Sequence, residues 1–214
     1  MKKALVTLLC AFALFCAQAA AQTVSDMGTW SSIQLVKSFG APYAMARVEH
    51  RSFENAGSTE CWFAMAGGGY NFNKWLKGDL SYEYWRIPAA GDMVQHKVVL
   101  CLAETLRREG LALTLREKYE LAYNPAGKSF SNTLRTRLRG QYRAPESIFT
   151  PYLMYEFFSS FDSMPWVRSL HYAGTEISLG KGHGLDFFYM YHLYDKGGQT
   201  AACHLLGIGY NFVF

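Results

Sequence analysis

The chain has 214 residues, half of them apolar, with 21 basic and 17 acidic side chains. That near balance excludes the strongly basic surface that nucleic-acid binding requires, and the length is that of one domain. The 15 Phe, 14 Tyr and 5 Trp suit an aromatic-rich soluble sheet or a sheet whose outer face carries aromatic girdles, so composition alone does not choose between them.

Lys2 and Lys3 precede an apolar run from Ala4 to Ala17, too short to span a bilayer, and Ala19, Ala20 and Ala21 follow as small residues. This pattern predicts a signal peptide over 1–21, cleaved before Gln22, and one domain over 22–214. Cys10 and Cys16 lie in no convincing lipoprotein box. No later stretch is apolar enough for a transmembrane helix.

The remainder divides into eleven strand-like runs near 29–39, 43–53, 61–72, 76–87, 94–107, 111–123, 131–143, 149–159, 166–180, 184–195 and 201–214. The breaks carry turn chemistry: Gly40 to Pro42, Asn55 to Gly57, Pro88 to Asp92, Asn124 to Gly127 and Asp195 to Gly198. Gly and Asn tolerate positive φ and Pro fixes φ, which is why they punctuate strands. Runs this long suit tilted, membrane-spanning strands better than the shorter strands of soluble sheets. Within the last run Leu206, Ile208, Tyr210, Phe212 and Phe214 alternate with small or polar residues, and successive strand side chains point to opposite faces. An aromatic last residue with Tyr210 and Phe212 before it resembles the C-terminal insertion signal of bacterial outer-membrane β-barrels.

The expected fold is therefore all-β, a transmembrane antiparallel up-and-down β-barrel of ten to twelve strands. The final strand should end in the periplasm, which puts the turns near 181–183, 144–148, 108–110, 73–75 and 40–42 on that side. Eleven runs conflict with the even strand numbers of bacterial single-chain barrels. Either the first run is not a full strand, or one run has been missed or split.

Several short motifs in order carry a family resemblance: Asp26 to Trp30, Asn73 to Leu76, Leu113 to Tyr119, Leu134 to Leu138, Phe149 to Tyr152 with Glu156, Gly174 to Glu176, and Tyr210 to Phe214. Together they resemble a domain-of-unknown-function family of small outer-membrane β-barrels common in Bacteroidetes-type bacteria. The resemblance implies the fold and the membrane. It brings no assigned reaction and no catalytic residue.

Strand alternation places Leu185, Phe187, Tyr189 and Tyr191 opposite Asp186, Phe188, Met190 and His192, and likewise sorts 76–86 and 149–159. The apolar sets should face lipid. The mixed sets should line the lumen, where Arg116, Lys118, Arg135, Arg137 and Arg139 form a basic wall with Glu83, Glu156, Glu176 and Asp186 facing it. In hydrocarbon a cation would cost roughly 2–4 kcal/mol at the midplane, whereas inside Arg can pair with carboxylates. Asp79, Glu120 and the trio Arg47, Glu49 and Arg51 join this set.

Three functional readings follow. The first is an outer-membrane protein with a structural or interaction role and a lumen mostly filled by ion pairs, since about eight strands fill a barrel and about sixteen leave it open. The second is a narrow channel preferring anions. The third is a lipid-modifying hydrolase using Ser169 and His171, which share an outward face but belong to no familiar hydrolase signature. Glu117 falls on the lipid-facing set and needs a β-bulge, a local polar site or a partner to explain it; Glu104 does so nearer a turn. Gly67, Gly68 and Gly69 lack the context of a phosphate loop and indicate sharp bending or close contact, with bending preferred. Cys61, Cys101 and Cys203 form no disulfide framework and read as small strand residues. No cofactor or metal is expected. The expected partners are outer-membrane lipid and the barrel-assembly machinery, which would engage the C-terminal strand, and the protein should be a monomer in the outer membrane after export.

Overall fold

A computed structural model describes residues 24–161, 168–196 and 199–214. The expected signal peptide lies outside the described residues, as do parts of the loops near 160–165 and 196–200. Eleven strands form one closed barrel: β1 (Val24–Ser38), β2 (Pro42–Phe53), β3 (Ser58–Asn71), β4 (Leu76–Ile87), β5 (Met93–Arg108), β6 (Leu111–Asn124), β7 (Ser129–Tyr142), β8 (Phe149–Ser160), β9 (Arg168–Gly180), β10 (His183–Lys196) and β11 (Gln199–Val213). One turn of 3₁₀ helix, Pro88–Ala90, follows β4.

Each strand pairs with its sequence neighbour in antiparallel fashion, and β1 closes the ring against β11. That closing pair is parallel, from Val24↔Ala202 to Val36↔Val213. The wholly antiparallel expectation is corrected here. An up-and-down sheet with an odd strand number has first and last strands running the same way, so closure can only be parallel. The parity conflict is thereby resolved: among the described residues no run was missed or split, and β1 is a full strand. Val24 consequently lies at the opposite mouth from Phe214.

Parallel pairs are slightly weaker per residue than antiparallel ones, and further contacts hold the seam. Ser38 N–H donates to the Phe214 carbonyl at 3.1 Å and Phe214 N–H to the Val36 carbonyl at 3.0 Å. At the other end the Asp26 carboxylate accepts the Glu54 amide at 2.8 Å and the Asn55 amide at 3.1 Å. Glu54, Asn55 and Ala56 all have positive φ (53°, 54° and 65°). This left-handed run is strained for residues with a Cβ, and the Asp26 bonds help to hold it. Thr29 joins Ser52 through its amide and hydroxyl, and a Cβ on Gly28 would collide with the Ser52 carbonyl oxygen.

Two tight turns sit at the end that carries Phe214. Glu109 and Gly110 (φ 48° and 82°), and Lys181 and Gly182 (φ 50° and 82°), are two-residue links with positive φ at both positions, the turn that matches strand twist. β3 keeps its register with β2 and β4 through Gly67, Gly68 and Gly69. Close contact, one of the two readings of this triplet, is present: the Tyr43 ring occupies the space a Cβ on Gly69 would need.

Outward positions are apolar and exposed in the middle of the strands: Ile33, Val48, Leu80, Val98, Leu100, Leu102, Leu113, Leu115, Leu138, Leu206 and Ile208. Exposed aromatics mark both rims, with Phe39, Phe72, Trp75, Phe149 and Phe214 at one and Trp62, Phe130 and Phe161 at the other. Cys61, Cys101 and Cys203 are buried and free.

Candidate functional site: the charged interior

The inward faces divide the interior into two halves. Along β8–β11 and β1 the inward side chains are mainly apolar: Trp30, Tyr152, Met154, Phe158, Leu170, Tyr172, Met190, Cys203 and Leu205 pack together. Along β2, β4, β6 and β7 they are mainly ionised, and β5 adds Lys97 to a face otherwise built from Val99, Cys101 and Ala103. Inverting a soluble protein's polarity thus leaves an apolar half as well as a charged one.

Glu156 on β8 anchors the charged half. It is completely buried. Its Oε1 accepts from Arg116 at 3.1 Å, Arg135 at 3.2 Å and Arg137 Nε at 3.1 Å, and its Oε2 from Arg137 at 3.0 Å. The three arginines come from adjacent strands, with Arg116 opposite Arg137 and Arg137 opposite Glu156 in the ladder. Strand pairing therefore brings the guanidiniums to one level. Glu120 takes Arg135 and, at 3.5 Å, Lys97. Glu49 takes Arg47 and Arg51. Arg139 reaches Glu176 at 2.8 Å, Tyr152 donates to Asp186 at 2.8 Å, and Glu83 accepts the Trp85 indole N–H at 2.7 Å. Lys118 is inward on β6 with no carboxylate within ion-pair distance among the described residues.

Carboxylates are thus shared among more cations than they can neutralise. Aromatic faces take part of the surplus. The Arg51 guanidinium lies 3.7 Å from the Trp30 ring centre and Lys97 4.1 Å from that of Trp85. Arg135 and Arg168 lie over Phe158 at 4.4 and 4.0 Å, and Arg139 over Tyr152 at 4.0 Å. Removed from water, such a contact is worth about 2 kcal/mol, comparable with a charged hydrogen bond. Lys97 and Arg168 escaped the sequence reading although face alternation puts both inward. The aromatic seats of the cations were equally unseen: each joins two neighbouring strands, as in the ladder pairs Trp30↔Arg51, Arg135↔Phe158 and Phe158↔Arg168, and which ring meets which cation follows from the register.

The remaining candidates are placed as follows. Tyr210, Phe212 and Phe214 point outward at the end of β11. His183 stacks on Phe212 at 4.3 Å, and Phe212 on Phe214 at 5.1 Å. Ser169 and His171 share an outward face, Oγ to Nε2 3.5 Å, beside Tyr155 and Tyr191. Glu117 is outward and accepts from Thr136 at 2.8 Å. The ladders on both sides of it are regular, so a bulge is excluded and the local polar contact is what the structure contains. No cluster of three or more metal-ligating side chains occurs among the described residues.

Two small voids, about 50 and 10 Å³, lie amid the charged and aromatic side chains. A larger cavity of about 320 Å³ lies at the end that carries the C-terminus.

If Glu156 is the central counter-charge, Glu156→Gln should lower stability by about 3–5 kcal/mol, the usual result of stripping a buried ion cluster of its partner. Glu176→Gln, at a side chain 41% exposed, should cost about 1 kcal/mol or less. Thermal unfolding in detergent, read by the gel shift between folded and heated protein, compares the two variants. Equal losses would contradict the assignment.

Among solved structures, the chain is similar to the β-domain of the Bordetella autotransporter BrkA, with a TM-score of 0.54 and 16% identity over 84% of this chain and 86% of that one. At that identity the likeness concerns the fold alone. No curated protein sequence matches the chain. A family profile matches residues 27–201, most of the chain, so this protein belongs to the family described as "Protein of unknown function (DUF2490)".

Proposed function

We propose that this protein spans the outer membrane of a Gram-negative bacterium of the Bacteroidetes type as a monomeric barrel whose lumen is closed by its own ion pairs. It is exported with the signal peptide 1–21, and the assembly machinery engages its C-terminal strand. Its role is structural or interactive, not transport through the barrel.

The observation that carries this reading is the contrast between the two faces of one sheet. Leu80, Leu100, Leu102, Leu113 and Leu115 are exposed on the outside while Glu49, Glu83, Glu120 and Glu156 are buried inside. Soluble monomers rarely expose continuous apolar belts of this kind. In lipid the belt is solvated by acyl chains, and the aromatic rims lie at the two interfaces. The similarity to an autotransporter β-domain supports the outer membrane. The sharing of Glu156 among Arg116, Arg135 and Arg137, which leaves a void of only about 50 Å³ beside Arg135 and Arg137, supports a plug.

Purified protein in planar bilayers should therefore give no steady single-channel current. A stable anion-selective current altered by Arg137→Ala would overturn the plug in favour of a channel.

The seam gives a second expectation. With Phe214 at the periplasmic mouth, Val24 lies at the extracellular one. An epitope inserted between Thr23 and Val24 should bind antibody on intact cells, while a maleimide that cannot cross the membrane should label Ser38→Cys only after permeabilisation. The opposite pattern would reverse the orientation, and labelling of neither site in membranes would contradict it.

A further inference from the structure

The cavity of about 320 Å³ is lined by Arg47, Lys77, Asp79, Arg116 and Lys118, with Tyr43, Gln34 and Asn71 among its polar neighbours. Ser38, Asn71 and Val213 put it at the mouth that carries the C-terminus. Its volume falls within the range of small-molecule sites. Beneath it the lumen narrows to the small void bounded by Glu83, Arg135 and Arg137, so it is a cup and not a passage.

The charge around the cup is unbalanced. Asp79, the carboxylate in its lining, already accepts the Tyr43 hydroxyl at 3.1 Å. Arg47 shares Glu49 with Arg51, and Arg116 shares Glu156 with Arg135 and Arg137. The Nε–H groups of Arg47 and Arg116 are buried without a hydrogen-bond partner, so neither guanidinium is saturated. Lys77 and Lys118 meet no carboxylate within ion-pair distance among the described residues. Cations held in a concave, partly desolvated site focus a positive potential and attract anions.

We infer that this cup binds a soluble anion carrying a phosphate group, with Lys118 and Arg116 at its base and Lys77 at its rim. Tetrahedral phosphate oxygens accept from donors arriving in several directions, which suits a point-charge lysine beside a forked arginine. The cup opens along the barrel axis and not between strands, which favours a soluble ligand over a lipid headgroup. Periplasmic access rests on the proposed orientation. Binding in detergent does not, because both mouths are then open to solvent, and failure there leaves the membrane reading intact.

Titration calorimetry on the refolded full chain in maltoside detergent provides the test, with inorganic pyrophosphate as the probe and citrate and dihexanoyl phosphatidic acid as comparisons. Saturable pyrophosphate binding is expected at low salt and should weaken as salt is raised. Lys118→Gln should reduce its affinity about tenfold or more, the scale of one lost charge-assisted bond. Lys77→Gln, a rim substitution with little consequence for folding, should weaken it by a smaller factor. The absence of saturable heat, or unchanged affinity in both folded variants, would overturn the site. Tighter binding of citrate would overturn the phosphate assignment, and tighter binding of the phosphatidic acid would overturn the soluble source.

Discussion

The rest of the structure depends on where its ionised side chains can go. A sheet has two faces, and Glu156, Glu120, Glu49 and their arginines share one of them. Closing the sheet puts that face inside, where the ions solvate one another, and leaves the leucines outside. Desolvation of such ions is expensive, and pairing repays it only when geometry and further hydrogen bonds are good. Here ladder pairing supplies the geometry: Arg116, Arg137 and Glu156 lie side by side on three consecutive strands. Where carboxylates run short, Trp30, Trp85, Phe158 and Tyr152 offer ring faces to the surplus cations. The apolar half of the interior is thus part of the same electrostatic arrangement.

The parallel seam is the second organising feature. It allows an odd strand number and separates Val24 and Phe214 to opposite mouths. The seam is local in cost, because each strand at it keeps an antiparallel neighbour on its other side. The Asp26 bonds to the turn after β2 and the terminal bonds of Ser38 and Phe214 fasten it at both ends. At the Phe214 mouth the inward side chains of β1–β6 leave the cup; deeper in the barrel, arginines, carboxylates and rings fill the cross-section.

Much of this was legible in the sequence, because strand alternation is a local property. The eleven runs and their turn residues correspond to the eleven strands, with ends displaced by a few residues. The opening residues of β1 were missed because Val24, Ser25 and Asp26 carry no apolar alternation. Closure into a barrel was expected, but the parallel direction of the closing pair was not drawn from the eleven runs, because the even strand numbers of bacterial barrels argued against an odd count. Which residue fills the space at Gly69 was not legible either, because it is Tyr43, on another strand. Within the interior, face alternation indicated which residues are inward. The sharing of Glu156 and the seating of Arg51 on Trp30 depend on register and barrel curvature, which sequence spacing does not contain.

The inverted polarity of the barrel is tested most directly by spin labels on its outer belt. With the native cysteines replaced by alanine, labels at Leu100→Cys, Leu115→Cys and Leu138→Cys in reconstituted vesicles should collide freely with dissolved oxygen and hardly at all with a water-soluble nickel chelate. Efficient relaxation of all three by nickel, in protein that remains folded, would mean that the leucine face meets water and would contradict the account at its base.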